Sequence, residues 1–156
     1  MARFDIETFT DALETYLKAN LNTKITEINT TKGDSLLDQI NNEAYIKQFL
    51  DSIPNYNPFI VIGVKDDITV VSIGPESIQN FSIDIIIFFT QIGAADDYKK
   101  AWRYQKALRE VIQSGFNSVF RPLKIELSTL TPASVAIQNN SQMQRAVGVS
   151  ILVPLT

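Results

Sequence analysis

The stretch Phe81–Thr90, FSIDIIIFFT, decides the fold of this chain. Large apolar residues occupy every second position, which is the period of a β-strand. Those that share one face are Phe81, Ile83, Ile85, Ile87 and Phe89. Ile86 and Phe88 lie on the other face, so the second half of the stretch is apolar on both sides. We predict a strand over Ile78–Gln91 that lies centrally in its sheet and is covered on both faces.

Two further strands are predicted before this one, at Phe59–Val64 and Ile68–Ile73. The region that precedes them has helical spacing in two places. Apolar residues at helical spacing predict a helix over Thr8–Leu21, capped by Asp5. Asn22–Asp34 is polar and β-branched, which indicates a loop or a short irregular strand. A weaker apolar pattern predicts a second helix over Leu36–Ser52.

The region after the central strand contains the clearest helix, Ala94–Gly115. Asp96 and Asp97 stand at its start, where the helix dipole favours acidic groups. Two strands, Leu123–Leu130 and Arg145–Leu155, follow it. In the second strand, Val147, Val149, Ile151 and Val153 should face one way. The small residues Ala146, Gly148 and Ser150 face the other way, where they would let another backbone or a helix approach closely. The buried stripe of the helix is predicted to consist of Tyr98, Ala101, Trp102, Gln105, Leu108, Ile112 and Phe116.

These elements predict one α+β domain spanning residues 1–156. Its sheet should be mostly antiparallel, with the long helix packed on one face and the further helices N-terminal to it. Apolar residues make up 45% of the chain and charged residues 20%, which is enough to build such a core without disulfides. No apolar segment is long enough to span a bilayer, so no membrane association is expected.

The composition argues against an enzyme, because the chain has no histidine and no cysteine. Histidine is the commonest general base near neutral pH, and cysteine supplies thiolate nucleophiles and zinc ligands. The glycines do not form a phosphate-binding loop, and no serine stands in a nucleophile elbow. We expect no catalysis, no cofactor and no metal site. A carboxylate-based hydrolase or a small-ligand binding module remains as an alternative of a different class.

Two segments are candidates for contact with partners. Lys99, Arg103 and Lys106 fall on one side of the long helix, where they could meet an acidic neighbouring subunit or DNA phosphates, or form a solvated face. The segment Thr131–Gln144 is predicted to be a long polar loop that orders against a neighbour. Its candidate contact residues are Gln138, Asn139, Asn140, Gln142 and Gln144.

The order of elements resembles that of the tail terminator (tail completion) proteins of long-tailed bacteriophages. The segments that carry the resemblance are Phe9–Leu21, Phe59–Val64, Phe81–Thr90, Tyr98–Phe116 and Arg145–Pro154. The resemblance implies a small α/β subunit that forms a ring, usually of six copies, on the end of the tail tube. Such a ring stops tube growth and offers a surface to the neck of the head.

The expected partners are therefore further copies of this chain in a homo-hexamer, the tail tube protein, and neck or connector proteins. Passive contact with DNA in the ring lumen also fits this family. The expected location is the tail or neck of the virion, after synthesis in the host cytoplasm. Another neck or tail component, such as a stopper, a connector or a tube protein, is the nearest alternative.

Overall fold

The computed structural model describes residues 5–47, 56–64, 69–73, 76–116, 126–135 and 143–155. Their helices are α1 (Ile6–Lys32) and α2 (Ala94–Val111), with a 3₁₀ turn at Asn42–Ala44 and a π-helical turn at Ile112–Phe116. The strands are β1 (Tyr45–Lys47), β2 (Phe59–Val64), β3 (Thr69–Ile73), β4 (Glu76–Thr90), β5 (Glu126–Val135) and β6 (Gln144–Leu155).

The strands form one sheet of order β1-β2-β4-β6-β5, and β3 also pairs with β4. All pairs are antiparallel except β1 with β2. The helices pack on one face of this sheet, which gives the predicted α+β class with a mostly antiparallel sheet. The expectation of several N-terminal helices is met by α1 and the short turn only.

Strand β4 is central, as its alternating sequence predicts. It pairs with β2 along one side and with β6 along the other. The five predicted inward residues, Phe81, Ile83, Ile85, Ile87 and Phe89, are all buried. The expected cover on the second face is wrong, because Ile86 and Phe88 are only half-buried. Phe88 stacks on Phe59 of β2, with ring centroids 4.9 Å apart.

The N-terminal end of β4 extends past β6. Gln79 is the first β4 residue that pairs with β6, whereas Glu76, Ser77 and Ile78 pair only with β3 among the described strands. Strands β3 and β4 therefore project together from the sheet, and we call Thr69–Ile73 with Glu76–Asn80 the β3–β4 arm.

Helix α1 begins where Asp5 caps it, since the Asp5 carboxylate accepts a hydrogen bond from the Thr8 amide at 2.7 Å. The predicted loop or strand over Asn22–Asp34 is wrong, because α1 continues to Lys32. It ends at Gly33, whose φ of 72° places it in the left-handed region that glycine tolerates. The buried stripe of α1 also continues past Leu21, through Ile25 and Ile28.

The helix predicted over Leu36–Ser52 is also wrong in its described part. Residues 34–41 run back along α1 without helical structure, and the 3₁₀ turn and β1 follow. We call residues 34–41 the return segment. Residues 48–55 of the predicted helix lie outside the described residues.

Side chains on both helices hold the return segment in place. Asn29 accepts a hydrogen bond from the Leu37 amide at 3.1 Å and donates to the Leu37 carbonyl at 2.9 Å. Asn22 does the same for Ile40, at 2.8 and 2.9 Å. The Tyr104 hydroxyl of α2 accepts from the Asp38 amide at 3.0 Å and donates to its carbonyl at 2.8 Å. Polar residues thus stabilise this part of α1 through tertiary contacts that periodicity does not report.

The predicted helix Ala94–Gly115 is confirmed in position, but part of its predicted buried stripe is wrong. Ala101, Gln105, Leu108 and Ile112 are buried. Tyr98 and Trp102 are 63% and 45% exposed, and Phe116 has no described side chain. The helix is rotated toward the return segment, so its other buried residues are Asp97, Lys100, Tyr104, Ala107 and Val111.

The last two strands differ from prediction mainly at the loop between them. Strand β5 continues to Val135, with a register shift between Leu130 and Ala133. The predicted loop Thr131–Gln144 is therefore wrong at its start, and it is wrong at its end because Gln144 begins β6. In β6, the predicted inward residues Val147, Val149, Ile151 and Val153 are buried.

Small residues on the other face of β6 were expected to allow close approach of a backbone. That expectation holds at Gly148, where a Cβ atom would lie 2.1 Å from the Ile85 carbonyl oxygen of β4.

Candidate subunit interface

A groove lies between the first turns of α2 and the bulged part of β5. Its volume is about 360 Å³. Tyr98 and Trp102 form one wall, in an edge-to-face arrangement with ring centroids 5.7 Å apart. Pro132 and Ala133 of β5 contribute to the opposite wall. We call this the α2–β5 groove; large apolar side chains left this exposed commonly mark interaction surfaces.

The floor of the groove is held by an ion pair between Asp97 and Arg145. The Arg145 Nε donates to the Asp97 carboxylate at 3.0 Å, and Arg145 also hydrogen-bonds the Ser134 hydroxyl of β5. The other Asp97 oxygen accepts from the amides of Ile92 and Gly93, at 2.8 and 3.3 Å. One buried carboxylate thus joins the start of α2 to β6, and through Arg145 to β5.

The environment of Asp97 lowers the pKa of its carboxyl group. Burial acts in the opposite direction, because it disfavours the charged form. The amide of Ile92, the Arg145 guanidinium and the amide of Gly93 stabilise the carboxylate and outweigh burial. The sequence predicted Asp97 only as a helix-start residue, and it missed the partner 48 positions away.

Gln105 fixes the distance between α2 and β5. Its side-chain amide donates to the Leu130 carbonyl at 2.6 Å and to the Gly148 carbonyl at 3.0 Å. These carbonyls lie next to the bulge, where the β5 register shifts and Pro132 has no amide proton to donate. Gln105 therefore supplies donors at the point where the ladder between β5 and β6 is irregular.

Strand β5 is the last strand of the described sheet on this side. Its outer backbone edge meets no other described strand. The strand has a single charged residue, Glu126, and the following LSTLTPASV is neutral. Most of its described side chains are exposed or half-buried. Pro132 and the register shift protect the later part of this edge, whereas the regular part, residues 126–130, has no such protection after Glu126 and favours pairing with a further strand.

The predicted basic face of α2 is partly occupied within the chain. Arg103 donates to both oxygens of Asp34, at 3.0 and 2.8 Å. This pairing lowers the pKa of the Asp34 carboxyl, which also accepts a hydrogen bond from the Leu36 amide. Lys106 lies 3.9 Å from Glu110, and Lys99 is exposed. Of the three predicted contact residues, Lys99 and Lys106 therefore remain the more available for a partner.

Half of the predicted polar contact loop, residues 136–142, lies outside the described residues. This applies to Gln138, Asn139, Asn140 and Gln142. Gln144 was expected in that loop, which is wrong. It is 3% exposed in β6, and its amide lies 3.3 Å from the Thr90 hydroxyl. Its strand position and burial remove it from the free surface of the chain.

Within the described residues, acidic side chains form no cluster of three or more that could hold a metal ion. No helix in the same part of the chain combines the length and hydropathy needed to cross a bilayer. The groove itself offers aromatic rings, small apolar side chains and one internally satisfied ion pair. That chemistry suits the packing of a protein segment.

Sequence reasoning missed the groove because Tyr98 and Trp102 fit the helical period and were assigned to the core. One signal could have separated them: Tyr104 lies on the same helix and offers a third aromatic side chain for burial. Its ring is fully buried and lies 5.7 Å from that of Phe89. Which face of α2 is buried therefore depends on which of its aromatic side chains packs against the sheet.

The chain matches no protein-family model and no curated protein sequence. Among solved structures, 22 chains match it. One is a chain from the virion of a native gene transfer agent particle, with 12% sequence identity and a TM-score of 0.40. That match covers 72% of this chain and 80% of the other.

Proposed function

We propose that this chain is a non-enzymatic structural subunit of a phage-type virion, and that it acts as a tail terminator. In this role residues 1–156 serve as one domain, and copies form a ring that caps the tail tube. The ring would end tube polymerisation and present a surface to the neck or head. The proposal unites the family resemblance of the sequence with a surface suited to self-assembly.

This proposal rests on one observation: an open strand edge lies next to an exposed aromatic groove. The neutral edge of β5 and the exposed rings of Tyr98 and Trp102 lie on the same side of the molecule. A ring subunit needs two different contact surfaces, because each copy meets one neighbour on each side. The β3–β4 arm, on the other side of β4 from β5 and β6, offers the second surface.

The direct test is the native mass of the protein alone and after mixing with tail tube subunits, followed by electron microscopy. We expect a closed ring of six copies at tube ends, and tubes that stop growing when the protein is added. Tubes that grow equally well with and without the protein, and carry no extra density at their ends, would refute the proposal.

The same experiment separates the nearest alternatives. A tube protein would stack into long tubes by itself, and a stopper or connector would bind neck components without affecting tube growth. A charge test is best limited to Lys99→Glu with Lys106→Glu, since reversal of Arg103 would also break its internal pair with Asp34. If the ring uses the basic face, this double variant assembles poorly while its melting temperature stays unchanged.

A further inference from the structure

We propose that the β3–β4 arm of one copy pairs with the outer edge of β5 in the next copy and covers its α2–β5 groove. This inference rests on the proposed ring, and it names the segments that form the contact. The contact would be β-strand addition, in which backbone hydrogen bonds supply affinity and a neighbouring groove holds side chains of the added strand.

The arm is a segment that needs a partner. The pairs Val71–Ile78, Ser72–Ser77 and Ile73–Glu76 lie beyond the first residue pair that β4 makes with β6. A two-stranded hairpin by itself is at best marginally stable in water. Strand β3 has no second strand partner among the described residues, and the proposed contact would supply one.

The sequences of the two edges suit one another. Strand β3 reads TVVSI and has no charge, and β5 is neutral after Glu126. Two neutral strands pair without repulsion between like charges, and β-branched residues are favoured in strands. A highly charged partner would instead lose solvation on the neutral edge and gain no ion pair there.

The topology allows the contact to close a ring. The arm leaves β4 on the β2 side, whereas β5 is the far strand on the β6 side. The two edges belong to opposite sides of the sheet, so each copy donates an arm to one neighbour and accepts an arm from the other. Contacts of this heterologous kind generate rings when the rotation between copies closes.

The groove gives the contact its specificity. It lies beside residues 131–134 of β5, where the bulge opens a space between the strand and α2. Residues 71 and 73 of β3 share one face by the period of two. When the arm pairs with β5, it lies beside the groove wall formed by Tyr98 and Trp102.

The absence of native cysteine makes a cross-linking test clean, because every thiol is introduced. The test variant combines Ser72→Cys in the arm with Ser128→Cys in the edge, in the full chain assembled on tube ends. A short bismaleimide linker tolerates a shift in register. The matched control combines Ser72→Cys with Thr23→Cys, since Thr23 is exposed on α1.

We expect a ladder of covalent oligomers from the test variant, ending at the ring size, and at least tenfold less product from the control. A second variant, Thr129→Lys, places a charge on the edge and should weaken assembly at least tenfold, whereas Thr129→Val should not. Unchanged melting temperatures show that both variants fold.

Three outcomes would overturn the inference. Rings that form normally but give no ladder refute the arm-to-edge contact and leave the proposed function standing. Normal assembly of the Thr129→Lys variant would show that the ring contact does not use the β5 edge. A protein that stays monomeric and does not bind tube ends refutes the proposed function, and the contact with it.

Discussion

Two sides of helix α2 face surfaces of opposite character. Toward the return segment, Tyr104, Lys100 and Arg103 each hydrogen-bond a group of residues 34–38. Toward β5, Tyr98 and Trp102 leave their rings exposed over a groove. One side is closed by the chain itself and the other is open. Polar groups that are satisfied internally stabilise the fold, whereas apolar groups left open are available to a neighbouring molecule.

On the closed side, the largest loss of stability is expected from a substitution at Asn29. Replacing Asn29 with Ala removes the partners of both backbone groups of Leu37, a residue that is 3% exposed. Because each unsatisfied buried group costs about 1–3 kcal/mol, we expect the loss of both partners to lower the free energy of unfolding by about 2–6 kcal/mol. Chemical denaturation followed by circular dichroism measures this loss.

Asn20 provides the matched control on the same helix. Its side-chain amide donates to the carbonyl of Tyr16, one turn earlier in α1. Asn20→Ala should change the free energy of unfolding by no more than about 0.5 kcal/mol, and alanine even favours the helix. Equal losses in both variants would show that the hydrogen bonds between Asn29 and the return segment do not stabilise the fold.

The next largest effect is expected at Gln105, which joins α2 to β5 and β6. Gln105→Leu keeps a similar side-chain size but removes the donor to the carbonyls of Leu130 and Gly148. We expect a loss of about 1–3 kcal/mol in unfolding free energy. Hydrogen exchange should also quicken in β5 more than in β4. Gln91→Leu, at an exposed position, serves as the control.

The open side should respond differently to truncation at Trp102. A fully buried tryptophan costs about 3–5 kcal/mol when replaced by alanine. Because Trp102 is 45% exposed, we expect less than about 2 kcal/mol for Trp102→Ala. Ring assembly should nevertheless weaken at least tenfold by native mass. A large fall in the melting temperature with normal assembly would place the residue in the core instead.

The smallest expected effect is a change in the free energy of unfolding at low pH, through the Asp97 carboxylate at the groove floor. The pKa of Asp97 is lowered in the folded protein from 3.8, so its ion pair is fully present above that value. As the pH falls below 3.8, the unfolded chain takes up this proton first, and the stabilisation is lost as the pH falls through the folded pKa.

Asp97→Asn should therefore flatten the dependence of unfolding free energy on pH below 3.8. Parallel slopes for the parent and Asp97→Asn would contradict the assignment of this carboxylate to the groove floor.

Local sequence determined the elements that have a strong period. The alternation of Phe81–Phe89 and Val147–Val153 specified two neighbouring strands and their buried faces. The spacing and acidic start of Ala94–Gly115 predicted a helix, and α2 occupies Ala94–Val111 of that range. These segments could be predicted because each signal lies within a short window, where one buried face repeats at a fixed interval.

Tertiary contacts decided the rest. Helix α1 continues through the polar residues Asn22 and Asn29 because their side chains hydrogen-bond the return segment. No local pattern encodes that partner. The choice of Tyr104 over Trp102 for burial likewise depends on where α2 meets Phe89 and the return segment. A single sequence states which residues can be buried, whereas the packing of distant segments decides which of them are and which surface stays open.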